Sequence, residues 1–528
     1  MKTPLSALFL FCLFFSSAAQ EVSYSDLRFH HEMEASFFQS DFLENYTLLT
    51  EQVGLLMAVD TALTESVINE TTKAIGQLSN KLRAAQIQRK KPLKAAKLLH
   101  ETIHEEVFRK YDIDAQFLDL FKDGRYNCVT ATALYAVLLE ELKLPYELRE
   151  LPNHVYLVYA PETAAITVET TDGATGIYEA DAASYGQFLT DLNKATPLEV
   201  QGKSTEELHE EYMADHEKGI DLRGLASDLY FNAAIQAANH EQLESALALI
   251  KKSVYLNRRA NKVSTWASML QLQLSDLDWN NLSSFEPLFA LQYFPNHETY
   301  ALDQIRKHFC FAANHYLIEE NQLDYYLQIK EYFQENLHPE LPRPQQQLQF
   351  VHDTHMGWHY LFVEQTDRAC THFDRAYRFN PDHLTVQAGI KSVVGVELLE
   401  RSEQGILNAY TYIQEEHQKY PFLEQNEYFH ELLVYGPFWV TIEAFETNQG
   451  EEGLAAFEQC RSILENGKDG SKQFDDMVGS LFGSASSYYF RQGDEIQARK
   501  WLQDGLAIAP KSAELVRKWK LLEDFYDN

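Results

Sequence analysis

The chain has 528 residues, of which 45% are apolar, and a formal net charge of −33. That length exceeds a single hydrophobic core, and that charge excludes nucleic acid and an anionic membrane surface as natural partners. The five cysteines form no C-x-x-C pair and no His/Cys cluster, which argues against a structural zinc site and a disulfide framework.

Lys2, the apolar run from Leu5 to Phe15, and the small residues Ser17 and Ala19 read as a secretory signal peptide cut after Ala19. No later apolar run reaches the roughly 20 residues of a bilayer span. The expectation is an exported protein, periplasmic or extracellular, with no membrane span. Apolar residues then recur at helical spacing through Phe42, Leu43, Tyr46, Leu49, Val53 and Leu56. A further helix starts near Pro92 and runs through Leu98, Leu99, Ile103, Val107 and Phe108. It carries His100-Glu101-Thr102-Ile103-His104, the H-E-x-x-H zinc pattern, which sets two imidazoles on one helix face with a carboxylate beside them. The surroundings do not complete that site. Glu105 is charged where zinc proteases carry a neutral residue, and Lys110 stands at the short-spaced third-ligand position.

After the turn at Asp123-Gly124 comes Arg125-Tyr126-Asn127-Cys128. Asn127 is a good N-cap, and residues 127–142 are apolar on nearly every side, as in a helix buried within a domain. A thiol at such a helix start meets free amides and the positive end of the dipole, which suit a thiolate and a developing oxyanion. Past Pro145 the period changes to two. Tyr146–Glu150, His154–Tyr159 and Ala165–Thr171 read as strands, with residues 160–164 as a hairpin connection. If Tyr156 lies opposite Glu169, then His154, Tyr156, Glu169 and Thr171 share a face, and Glu169 is a diagonal neighbour of His154. A slip of one residue brings Thr170 or Asp172 there instead. A thiol, an imidazole and an acid are the parts of a nucleophile and its base. Taken singly, Cys128 reads as a structural residue of a buried helix, and His154 as a sheet-edge histidine bonded to backbone.

The segments Tyr126-Asn127-Cys128-Val129-Thr130-Ala131, Asn153-His154-Val155-Tyr156 and Val168-Glu169-Thr170-Thr171 resemble the transglutaminase-like superfamily. The resemblance covers residues 92 to 185, under a fifth of the chain. It implies an α+β, papain-like core in which Cys128 is the nucleophile, His154 the base and Glu169 the orienting acid, with Asp172 as the alternative acid. Glu169 departs from the family's more usual Asp, the proline that often follows that Asp is missing, and Val155 replaces the usual aromatic. The implied chemistry is thiol attack on an amide or ester carbonyl. Water then resolves the acyl-enzyme in a peptidase or amidase, and an amine resolves it in an acyltransferase. No cofactor is implied.

Beyond about residue 200 strand signals fade. Gly357, Tyr360, Ala369, Phe373, Ala376 and Pro381 match the small, aromatic and proline positions of the tetratricopeptide repeat. Tyr489, Ala498, Leu502, Gly505 and Pro510 give a second copy, and Ala234, Ala246, Ile250 and Ser253 a weaker one. The expected organisation is a signal peptide (1–19), an N-terminal helical segment (20–91), a transglutaminase-like core (92–200) and an all-α repeat solenoid (201–528) that binds a protein or peptide. Two other functions fit the same residues: a non-catalytic scaffold for protein assembly, and a zinc hydrolase through His100 and His104.

Overall fold

The computed structural model describes residues 22–215, 217–339, 342–466 and 472–526. The expected signal peptide, with its cleavage site at Ala19, lies outside the described residues. The chain divides into two compact units, Met1–Ile305 and Arg306–Asn528. Among the described residues no helix is long and apolar enough to cross a membrane.

The structure corrects the expected α+β, papain-like core. Of the described residues 71% are helical and 5% lie in strands of small sheets, so the protein is mostly all-α. The runs from Tyr146 and His154 form strands of the expected length and only the third is shortened, but helices outweigh this small sheet throughout. One run stops at Leu151 before Pro152-Asn153, and another stops at Val168, where the chain folds back through residues 170–176.

In the first unit the helices α1 (Leu49–Met57), α2 (Glu65–Ala84) and α3 (Pro92–Glu106, with Pro92 in its first turn) precede a short parallel pair. That pair is β1 (Lys110–Tyr111) and β2 (Arg125–Tyr126). Helix α4 (Cys128–Leu142) follows, and Ala131, Ala133, Leu134, Tyr135, Ala136, Val137, Leu138 and Leu139 are all fully buried on it. Burying one such Leu or Val contributes about 1.5–3 kcal/mol, so this helix anchors the unit's core. The strands β3 (Tyr146–Leu151), β4 (His154–Tyr159), β5 (Ile166–Val168), β6 (Ile177–Tyr178) and β7 (Lys218–Ile220) form one antiparallel sheet in the order β6-β5-β4-β3-β7. Leu157 faces Val168 and Tyr159 faces Ile166. One step further along this register sets Tyr156 against Glu169, which is the parity that brings His154 and Glu169 to one face.

The unit also contains helices α5 (Ala182–Asp191), α6 (Leu222–Asn239), α7 (Leu243–Leu256) and α8 (Ala260–Gln273). Helix α4 packs on β4, α6, α1 and α2, so it is covered on several sides. Residues 201–305 lie in the first compact unit. Helix α6 is buried along Leu225, Ala226, Leu229, Tyr230 and Ala234. A buried ion pair, Lys252 to Glu34 at 2.6 Å, is completed by the Tyr230 hydroxyl donating to Glu34 at 2.8 Å.

The second unit is helical among its described residues. Its helices include α9 (Leu323–Glu335), α10 (Pro342–Phe362), α11 (Thr366–Phe379), α12 (Leu384–Glu403), α13 (Ile406–Lys419) and α14 (Glu427–Glu446). After them come α15 (Gly450–Asn466), α16 (Lys472–Arg491), α17 (Glu495–Ile508) and α18 (Ala513–Tyr526). From α10 to α15, and again from α16 to α18, each helix packs on the next. The repeat positions are packing positions. Phe373 of α11 is fully buried, and a Cβ on Gly357 of α10 or Gly389 of α12 would stand 2.7 or 2.2 Å from its ring. The glycines let three helices approach around one aromatic ring.

Candidate active site

Two devices position the thiol. Gly124 has φ +77, and a Cβ there would meet the Arg109 side chain at 2.4 Å and the Val107 carbonyl at 2.7 Å, so the turn admits only glycine. Arg125 is then held by Asp123 at 2.9 Å and by Asp112 and Asp119 at 3.2 Å each. Next, the Asn127 side chain accepts from the Thr130 N–H at 3.0 Å and donates to the carbonyls of Ile113 and Ala115 at 3.0 and 2.9 Å. One residue thus caps α4 and ties its start to the loop before it. Cys128 follows, half-buried, at the first helical position.

His154 opens β4. Its Nε2 lies 2.5 Å from Oε2 of Glu169, and the ring lines the same cavity as Cys128. Burial alone would pull the imidazole down; the neighbouring Glu169 and Cys128 outweigh it and raise its pKa to about 10. Burial likewise pushes Glu169 up, but the bonds from His154 and Thr171 and the His154 charge leave it below its ordinary value. The two shifts agree on an imidazolium–carboxylate pair. Thr171 donates its N–H and its hydroxyl to Oε1 of Glu169 at 3.1 and 2.5 Å, which leaves Oε2 for the ring. Asp172 faces elsewhere: its carboxylate accepts from the N–H groups of Ala174 and Thr175 at 2.9 and 3.1 Å and closes its own turn.

His100 and His104 are not placed as metal ligands. His100 Nε2–H donates to the Asp172 carbonyl at 2.9 Å, and its Nδ1 accepts from the Tyr135 hydroxyl at 2.7 Å. His104 Nε2–H donates to the Thr170 carbonyl at 3.0 Å. Burial, and for His100 also the charge of His104, holds His100 down at about 4; burial lowers His104 too, so both rings are neutral. Glu101 is exposed. The H-E-x-x-H pattern therefore clamps the loop that carries Glu169. Thr132 adds a bond to the Thr170 hydroxyl at 2.9 Å, and a Cβ on Gly176 would stand 2.3 Å from the Glu169 carbonyl. His100, His104, Tyr135 and Thr132 gave no sign of this role in the sequence, because their partners lie more than 30 residues away. The two-histidine spacing marked a shared helix face and no more.

Among the described residues, metal-like spacing occurs at His352, Asp353 and His372. Those groups are already joined. His372 bonds Asp353 at 2.7 Å, Gln349 donates to the same carboxylate at 2.8 Å, and His352 bonds the Tyr326 hydroxyl at 3.0 Å.

A cavity of about 400 Å³ reaches Cys128 and His154. It is walled by the loop at Tyr111–Asp114, the β3–β4 turn and one face of α6. The other described cysteines, Cys310, Cys370 and Cys460, are free thiols whose pKa burial raises, Cys460 to about 11. No family model matches the chain, and no curated protein matches it.

Proposed function

We propose that this protein is a thiol-dependent acyl-transfer enzyme whose motifs resemble those of transglutaminase-like enzymes, acting at an amide through Cys128, His154 and Glu169. The observation that carries this reading is the imidazole bonded to a buried carboxylate and sharing one open cavity with a helix-start thiol. Glu169 holds Nε2, so Nδ1 serves the sulfur.

In the first half-reaction the Cys128 sulfur bonds to the carbonyl carbon, and the thiol proton resides on Nδ1 of His154. The carbonyl oxygen becomes an oxyanion at the start of α4. There the N–H of Thr130 is taken by Asn127, while those of Cys128 and Val129 have no partner among the described residues. Collapse of the intermediate breaks the C–N bond, and His154 gives its proton to the departing amine. In the second half-reaction water or an amine bonds to the thioester carbon. Its proton passes to His154, the C–S bond breaks, and the Cys128 thiolate is released.

The reading also takes the protein as exported and the helices of the second unit as a surface for a protein or peptide partner. Its test is labelling of the whole protein with a limiting thiol reagent, followed by peptide mapping. The expected outcome is label on Cys128 ahead of Cys310, Cys370 and Cys460, and loss of that label and of any amide turnover in Cys128→Ala. Equal labelling of all four thiols sinks it and leaves the non-catalytic scaffold.

A further inference from the structure

One wall of the cavity is built by α6. Phe231 and Ile235 give it apolar contact, and Asn232, Gln236 and Asn239 line it with carboxamides, joined by Asn261 at the start of α8. Offsets of four and three residues keep Asn232, Gln236 and Asn239 on one helix face. At 1.5 Å per residue they span about 10 Å, the length of roughly three residues of extended peptide. Among the described residues, no side-chain hydrogen bond joins any of these four carboxamides to another protein group. A carboxamide offers one acceptor and two donors, the complement of a peptide group's N–H and C=O.

Charge narrows the occupant. No Lys or Arg is among the described residues lining the cavity. Of its carboxylates, Glu150 is paired with Arg259 at 3.1 Å and Asp228 with Lys262 at 2.6 Å, and Asp114 stands unpaired at the rim. A chain-terminal carboxylate, an acidic side chain or a phosphate entering here would be desolvated with no cation to meet it beyond His154 itself.

We propose that this cleft takes an internal, neutral or basic segment of polypeptide, its peptide groups held by the carboxamide row Asn232, Gln236, Asn239 and Asn261. The proposal rests on the acyl-transfer reading and adds the substrate class to it. The test uses the full chain and three end-capped peptide vinyl sulfones of equal length: one neutral, one with lysine and one with glutamate at the flanking positions. For each, the rate of addition to Cys128 is divided by the rate with iodoacetamide.

The expected result is a ratio at least tenfold higher for the neutral and lysine probes than for the glutamate probe. Asn232→Leu and Gln236→Leu should each lower the neutral-probe ratio about tenfold. A glutamate probe that reacts as fast as the others, on the unaltered protein, overturns the proposal, and so do leucine variants whose ratio does not move. In both cases fast, selective iodoacetamide labelling of Cys128 leaves the acyl-transfer reading standing. Iodoacetamide that does not prefer Cys128 overturns both.

Discussion

Glu169 and Asp172 stand three positions apart and have opposite duties. Glu169 gives one oxygen to Thr171 and the other to His154; Asp172 gives both of its oxygens to its own turn. Glu169→Gln removes the charge that orients and stabilises the imidazolium, so turnover should fall by about 10²–10⁴, the usual worth of a positioned acid–base group. Asp172→Asn should change turnover far less, and steady-state rates on one amide substrate distinguish the two. The pair also links stability to pH. The contribution of His154 is fully present below its unfolded value of 6.5 and is lost as pH rises through about 10. That of Glu169 is present above its unfolded value of 4.5 and is lost as pH falls through its lowered folded value. The difference in Tm between the wild-type protein and Glu169→Gln should therefore be widest between pH 4.5 and 6.5 and close toward about pH 10. A gap that does not vary with pH would show that the pair is not ionised in the fold.

At the scale of elements, the acid is placed by a loop and the loop by a helix. Residues 169–176 hang from α3 through His100 and His104, and from α4 through Thr132. His104→Gln keeps an N–H donor for the Thr170 carbonyl, whereas His104→Leu leaves that carbonyl unmet. The leucine variant should lose about 1–3 kcal/mol in urea unfolding and lose turnover, with the glutamine variant recovering much of both. Gly176→Ala should cost a similar amount, about 1–3 kcal/mol, because the new Cβ is driven into the Glu169 carbonyl. In the second unit, Phe373→Ala should cost about 3–5 kcal/mol and remove hydrogen-exchange protection from α10 to α12.

The same elements show what could be read in advance. The apolar run after Asn127 is long enough to specify α4, and the alternation through His154–Tyr159 specifies β4 with its inward and outward faces. Strands β6 and β7, with two and three residues, carry no period to detect; they exist because a neighbouring strand offers them an unpaired edge. The expected α+β core was overstated because the three alternating runs form only a small sheet, the third of them just Ile166–Val168, among far more helix.

For the whole molecule, 78 acidic side chains against 45 basic ones make self-repulsion a standing cost. Raising NaCl from about 20 to 300 mM, which shortens the screening length severalfold, should raise Tm by a few degrees. A fall in Tm would mean that ion pairs such as Arg125 with its three aspartates outweigh the net charge.

Sequence by itself determined the buried helix, the capped thiol at its start and the strand that opens at His154, because these follow from periods and caps within a few residues. Only the tertiary structure decided that Glu169 and not Asp172 holds the ring. The clamp by two histidines and the carboxamide wall from α6 also waited for it, as did the joining of residues 201–305 to the first unit. Each of those depends on contacts between segments far apart in the chain, where no local pattern records which partner a side chain will meet.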